Sequence, residues 1–221
     1  MFKLLRRHEV EEVIAIGTIR RMSIWQLRPD LITIIAIFRL VLKLGFRFFR
    51  LGDDETLKIV IAEFERRGPP VIGIETIMQD LLATAGAYGA NRPNKKAQRE
   101  IALGIEAARE IGALDVGQGA VVRDGKVLEV EDAEGTDAML ARCARHREEK
   151  PGGVLVKVTK PGQQRKVDLP TIGVDTVTAA EQAGLAGIAV EAGGALVVDR
   201  AGVVEAADRA GLFVVGVAVG D

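Results

Sequence analysis

From Lys157 to Gly173 the chain reads Lys-Val-Thr-Lys-Pro-Gly-Gln-Gln-Arg-Lys-Val-Asp-Leu-Pro-Thr-Ile-Gly. Four cations (Lys157, Lys160, Arg165 and Lys166) precede one carboxylate, Asp168, and a Pro-Thr-x-Gly turn follows it. Such a segment is too charged for a core and too rich in Pro and Gly for a flexible tail. Ammonium and guanidinium groups suit phosphate oxygens. A carboxylate beside them suits a hard divalent cation or a water molecule. Together they point to chemistry on a phosphate ester or a diphosphate. Asp168 stands just before Leu-Pro, a context that favours extended or turn backbone over helix. A carboxylate pinned there could hold Mg²⁺ or orient a water for attack on phosphorus. Asp168 is therefore the principal catalytic candidate. Lys157 and Lys160 flank the end of an expected strand and are the preferred phosphate partners, while Thr171 and Gly173 offer a hydroxyl and a close backbone N–H. The competing reading is an exposed loop whose charges are merely solvated.

Short apolar runs separated by helices must position this segment. Residues 154–158 read as a strand leading into it, and residues 174–183 as a helix ending at Gly184. Strands are expected at 187–190, 195–198 and 212–217, with a helix over 203–210. A local repeat supports the layout: Ala-Glu-Gln-Ala-Gly-Leu at 180–185 returns as Ala-Asp-Arg-Ala-Gly-Leu 27 residues later. Each copy is a helix end, a Gly stop and a strand start. No glycine-rich dinucleotide loop opens either helix. An α/β layered half-domain results, and ligands in such sheets sit at the carboxyl ends of strands. The loop after Val158 is at such an end.

Upstream, Arg123-Asp124-Gly125-Lys126 between two apolar runs is a hairpin signal. Pro93-Asn94 opens a helix that stops at Gly112. Glu134-Gly135-Thr136-Asp137 precedes a helix over 138–149, with Thr136 or Asp137 as the expected N-cap; the free N–H groups there also suit an anion. Residues 83–93 read as a Gly- and Ala-rich linker, which puts a boundary near residue 90. A first domain, 1–90, and a second, 91–221, follow from it. Strands are expected at 13–18 and 71–74. Residues 53–67 form a helix whose acids, Asp53 and Asp54, read as capping groups ahead of metal ligands.

The net charge of −1 argues against a general nucleic-acid binder. Its distribution is uneven, because residues 1–51 carry ten Lys/Arg against four acids. Within residues 31–51 the cations Arg39, Lys43, Arg47 and Arg50 fall on one helical face. Two readings stand: a core helix with a solvated basic stripe, or a basic amphipathic face that meets lipid. One cysteine, Cys143, leaves no partner for an internal disulfide or a Cys-based zinc site. The start lacks an apolar signal-peptide core, so a cytoplasmic chain is expected.

Five blocks occur in a characteristic order. They are Gly112-Ala113-Leu114-Asp115-Val116-Gly117-Gln118-Gly119, then Glu134-Gly135-Thr136-Asp137-Ala138-Met139, then Lys157 to Pro161, then Val167-Asp168-Leu169-Pro170-Thr171-Ile172-Gly173, and last Ala183 to Ile188 with Leu196-Val197-Val198-Asp199. In these the chain resembles the UDP-2,3-diacylglucosamine pyrophosphatases of the lipid A pathway, in the family distinct from the metallophosphoesterase type. The match is close from about residue 95 onward and looser over 10–90. The resemblance implies hydrolysis of UDP-2,3-diacylglucosamine to 2,3-diacylglucosamine 1-phosphate (lipid X) and UMP, dependent on Mg²⁺, with water attacking the α-phosphorus. It places the essential carboxylate at Asp168. The number of metal-binding carboxylates stays open, with Asp137 a candidate second ligand beside Asp168. The substrate-binding set then comprises Lys157, Lys160, Gln163, Thr171 and Gly173 from the charged run, with Gly135, Thr136 and Gln118 from the other blocks.

The resemblance also implies two α/β domains that enclose the substrate. Family members begin with an extra strand and Gly-rich loop, so the Rossmann-like first domain is expected to be truncated. Lys166 stands where the family commonly has Arg, and Lys is the weaker bidentate partner. The basic stretch 31–51 would fit peripheral contact with the cytoplasmic face of the inner membrane in a Gram-negative bacterium. The sequence leaves homodimerisation open. The alternative function is a non-catalytic fragment that binds lipid or nucleotide without turnover, and a third is a truncated product without activity of its own.

Overall fold

The computed structural model describes residues 2–15, 53–163, 166, 168–220. The expected basic helix at 31–51 lies outside them, as do Arg165 and residues 16–18 of the strand expected at 13–18. The chain divides into two compact units, Met1–Ile72 and Gly73–Asp221.

In the first unit, helix α1 (Phe2–Arg7), strand β1 (Val13–Ile14), helix α2 (Asp53–Glu65) and strand β2 (Val71–Ile72) are described. β1 and β2 pair in parallel, Val13 against Val71. The Phe2 and Phe64 rings pack 5.2 Å apart between centroids, joining α1 to α2 through apolar contact.

The second unit opens with a short helix α3 (Ile74–Ile77), a 3₁₀ turn and strand β3 (Gly86–Ala87). Then come helix α4 (Lys95–Ala113), strands β4 (Gly119–Arg123) and β5 (Lys126–Val130), helix α5 (Gly135–Ala144) and strand β6 (Val154–Lys157). Strand β7 (Thr171–Ile172), helix α6 (Val174–Gln182), strands β8 (Gly187–Glu191) and β9 (Leu196–Val197), helix α7 (Arg200–Ala210) and strand β10 (Phe213–Val217) complete it. The sheet order is β3-β10-β8-β6-β4-β5. The three central strands, β6, β8 and β10, are parallel, and β3, β4 and β5 run antiparallel to their neighbours.

Strand alternation splits the core into two faces. Val121, Leu155, Ile188, Val190 and Val214 pack with Met139, Leu140 and Cys143 of α5, Val177 and Ala180 of α6, and Val203 and Ala207 of α7. Ala120, Val154, Val156, Ala189, Phe213 and Val215 face Ala97, Ile101 and Ala108 of α4. Among the described residues the sheet is covered on both sides, by α4 on one and by α5, α6 and α7 on the other.

Local signals account for several elements. The Asn94 carboxamide accepts from the N–H groups of Lys96 and Ala97 and so caps α4. Asp124 and Gly125 both take positive φ (53° and 70°), as the tight turn between β4 and β5 requires. The strand expected at 195–198 is present as β9, paired in parallel with Thr171–Ile172 outside the main sheet. Two expectations need correction. Residues 83–93 are not a plain linker: Gly86 and Ala87 pair with Gly216 and Val215 as an edge strand. Helix α5 starts at Gly135 behind Glu134 as its N-cap, not behind Thr136 or Asp137.

Candidate active site

The carboxyl ends of the three parallel strands lie side by side, since Lys157 pairs with Val190 and Val217 with Glu191. A cavity of about 280 Å³ opens there. Its wall combines Thr159 to Gln163 after β6, Glu191 at the end of β8, Val219 and Gly220 after β10, and Arg109 of α4. Open α/β sheets bind ligands at such strand ends.

Asp168 is half-buried and tied directly to this region. Its Oδ2 accepts from Gln163 Nε2 at 2.7 Å, and the same nitrogen donates to Gln118 Oε1 at 3.1 Å. Gln163 Oε1 accepts the main-chain N–H of Lys160 at 2.7 Å. A carboxamide nitrogen has two hydrogens, so both are committed, and the Lys160 N–H fixes which end of the amide is oxygen. Asp168 therefore meets an oriented donor, not bulk water alone.

Lys157, on the same side of β6 as Leu155, is buried at 4% exposure. Its Nζ donates to Thr136 Oγ1 at 2.6 Å and lies 3.5 Å from the Thr171 carbonyl oxygen. The Thr136 hydroxyl in turn donates to Glu131 Oε1 at 2.6 Å. Glu131 is also buried, 3.7 Å from Lys157 Nζ, and its Oε2 accepts the Gln118 N–H at 3.2 Å. Lys160 Nζ bonds Asp115 Oδ1 at 2.9 Å. Both preferred phosphate cations thus already face a carboxylate.

The remaining expected residues are placed as follows. The Gly135 backbone is left-handed (φ 85°), and its N–H goes to the Asp132 carbonyl. Thr171 Oγ1 donates to the Leu169 carbonyl at 3.0 Å, and the Gly173 N–H goes to Thr176 Oγ1 at 3.3 Å. Asp137 is exposed in the first turn of α5. Gln118, Thr136, Lys157, Gln163 and Asp168 are joined in one hydrogen-bonded run, with Glu131 between its halves.

Sequence reasoning missed Glu131, Asp115, Glu191 and Arg109. Glu191 Oε2 accepts both the N–H and the hydroxyl of Thr159, at 2.7 and 2.6 Å, which fixes the loop after β6 to the end of β8. Asp115 sits inside a quoted block, so its position next to a cation-rich loop was the available signal. Glu131 had none, because it lies among other acids.

The carboxylate oxygens of Asp168 are hard ligands of the kind that suit Mg²⁺, which takes one or two protein carboxylates and completes its shell with phosphate and water. Among the described residues no three His, Cys, Asp or Glu side chains converge as a metal cluster.

Fold and site together define a two-unit α/β protein with a polar cluster of paired charges at the carboxyl ends of its parallel strands. Residues 84–215 match the family model for the LpxI C-terminal domain, and residues 1–81 that for the LpxI N-terminal domain. The chain belongs to the LpxI family. It is 44% identical over 223 residues to the UDP-2,3-diacylglucosamine pyrophosphatase LpxI of Caulobacter vibrioides, an alignment covering 98% of this chain and 78% of that relative. No helix among the described residues is long and apolar enough to cross a membrane.

Proposed function

We propose that this chain hydrolyses the diphosphate of UDP-2,3-diacylglucosamine in lipid A biosynthesis. Water adds to the α-phosphorus and the bond from that phosphorus to the bridging oxygen breaks. The bridging oxygen leaves with the sugar phosphate as lipid X, the attacking oxygen stays in UMP, and one proton is released. The observation that carries this reading is the tie from Asp168 through Gln163 and Gln118 to the Lys157 cluster, in a chain 44% identical to a named pyrophosphatase.

Asp168 is the acceptor for the proton of the attacking water. Lys157, Thr136 and Lys160 meet the phosphate oxygens, with Lys160 exchanging its Asp115 partner for substrate. Bound Mg²⁺, held by Asp168 with Asp137 as second carboxylate, would supply charge neutralisation on the diphosphate. The first domain belongs to the proposal as a Rossmann-like unit, and the parallel β1–β2 pair supports that. Peripheral contact with inner-membrane lipid through residues 31–51 is part of it, since the substrate carries two acyl chains.

Hydrolysis in ¹⁸O-water tests the route. The label is expected in UMP. Label in lipid X would mean attack at the other phosphorus, and no UMP at all would favour a binding fragment without turnover.

A further inference from the structure

The described chain buries four charged side chains to 6% exposure or less: Glu100, Arg123, Glu131 and Lys157. Burying a charge is costly unless it is paired and hydrogen-bonded, so each needs a reason. Glu100 Oε1 accepts the Asp124 N–H and closes the β4–β5 turn. Arg123 donates to the carbonyls of Gly152, His146, Ala183 and Gly184. Those two hold the scaffold. Glu131 and Lys157 instead sit together beside the candidate site, 3.7 Å apart.

Glu131 uses both oxygens for different halves of the cluster. Oε1 accepts the Thr136 hydroxyl and lies 3.7 Å from the Lys157 ammonium, and Oε2 accepts the Gln118 N–H. A hydroxyl has one hydrogen. Because that hydrogen points at Glu131, Thr136 Oγ1 must present a lone pair to Lys157, and the 2.6 Å contact between them has that geometry. Gln118 in turn accepts from Gln163, the donor to Asp168. The carboxylate is itself anchored. Its main-chain N–H donates to the Gly119 carbonyl at 2.8 Å, and Arg142 clamps the flanking residues through Glu129, Val130 and Asp132.

We infer that Glu131 is the positioning residue of this site: it sets the direction of the Thr136 hydroxyl, holds the Lys157 ammonium at the strand end, and links both to the Gln118–Gln163–Asp168 run. The inference rests on the proposed hydrolysis for its catalytic meaning, but the restraint of Lys157 stands apart from turnover.

The test uses the full chain and the Glu131→Gln and Glu131→Asp variants. Acylation of Lys157 by an N-hydroxysuccinimide ester is followed by peptide mass spectrometry, alongside UMP release with Mg²⁺. Glu131→Gln is expected to raise the Lys157 acylation rate roughly tenfold and to lower kcat roughly 10- to 100-fold with little change in KM, as misplacement of reacting groups does. Glu131→Asp is expected to recover part of both. Unchanged acylation in Glu131→Gln overturns the inference whether or not the chain turns over substrate. A variant that keeps kcat while only its melting temperature falls also overturns it, since that marks a purely structural acid. If Glu131→Gln does not fold, Thr136→Val, which deletes the linking hydroxyl at nearly constant volume, takes its place with the same two readouts. Absence of UMP release in the wild type would defeat the proposed function alone and leave the acylation arm to decide this inference.

Discussion

Replacing Arg123 with Met removes a buried guanidinium but keeps most of its apolar stem. Arg123 donates to four carbonyls, of Gly152 at 3.0 Å, His146 at 3.1 Å, Ala183 at 3.3 Å and Gly184 at 3.1 Å. The Gly184 carbonyl also accepts the Gly152 N–H at 2.9 Å, so three of the four depend on Arg123. Ala183 is the C-cap of α6, and His146 lies just past α5. Their carbonyls are orphan acceptors that a helix end must satisfy. Each lost bond to a charged donor costs about 1.5–3 kcal/mol. Water entering the site recovers part of this. We expect about 4 kcal/mol in urea denaturation, and a fall in melting temperature of about 10 °C for a unit of this size. Arg123→Lys, with a single ammonium, should fall between. Arg123 ends β4, whereas Gly119 at the other end of that strand pairs with Lys157. UMP release at low temperature should therefore stay near wild type. A loss below about 1 kcal/mol for Arg123→Met would refute the reasoning, because that is the range of an exposed polar contact.

Two further outcomes follow from packing and burial. The Cys143 thiol is pushed by burial from its ordinary value near 9.0 up to about 11; it should resist iodoacetamide at pH 8 in the folded protein and react once urea unfolds it. Because the folded state holds that proton more tightly, the thiol's contribution to stability is present below pH 9 and lost as pH rises toward 11, which stability curves of wild type and Cys143→Ala would show by converging at the alkaline end. Gly104→Ala would set a Cβ 2.4 Å from Val156 Cγ2 where α4 crosses β6. It should destabilise by about 1–3 kcal/mol, and Gly104→Ala with Val156→Ala should lose less than the sum of the single changes.

Much of the second unit was legible because its signals are local. Asp124-Gly125 marks its turn by the backbone it needs, Asn94 caps α4 within three residues, and the apolar runs of β6, β8 and β10 are too continuous for anything but buried strands. The two-residue strands β3 and β7 carry no such period. They exist through pairing with distant segments, which is why residues 83–93 resembled a linker. Within the site, Asp168, Gln163, Thr136 and Lys157 announce themselves by type and by motif. Glu131 does not. It sits in Glu-Val-Glu-Asp-Ala-Glu, where every acid looks solvated, and its burial comes from a lysine on another strand. The helix start was misplaced for a related reason: Thr136 has the chemistry of a cap, but its hydroxyl is drawn to Glu131 instead.

The most direct measurement is the rate of UMP release from UDP-2,3-diacylglucosamine by wild type and by Asp168→Asn, with thermal melts to show that both are folded. Asparagine keeps the shape and an acceptor oxygen toward Gln163 but removes the negative charge. If Asp168 activates water beside the Lys157 cluster, the wild type turns over and Asp168→Asn falls by about 10²–10⁴. Equal rates for the two folded proteins would contradict the assignment.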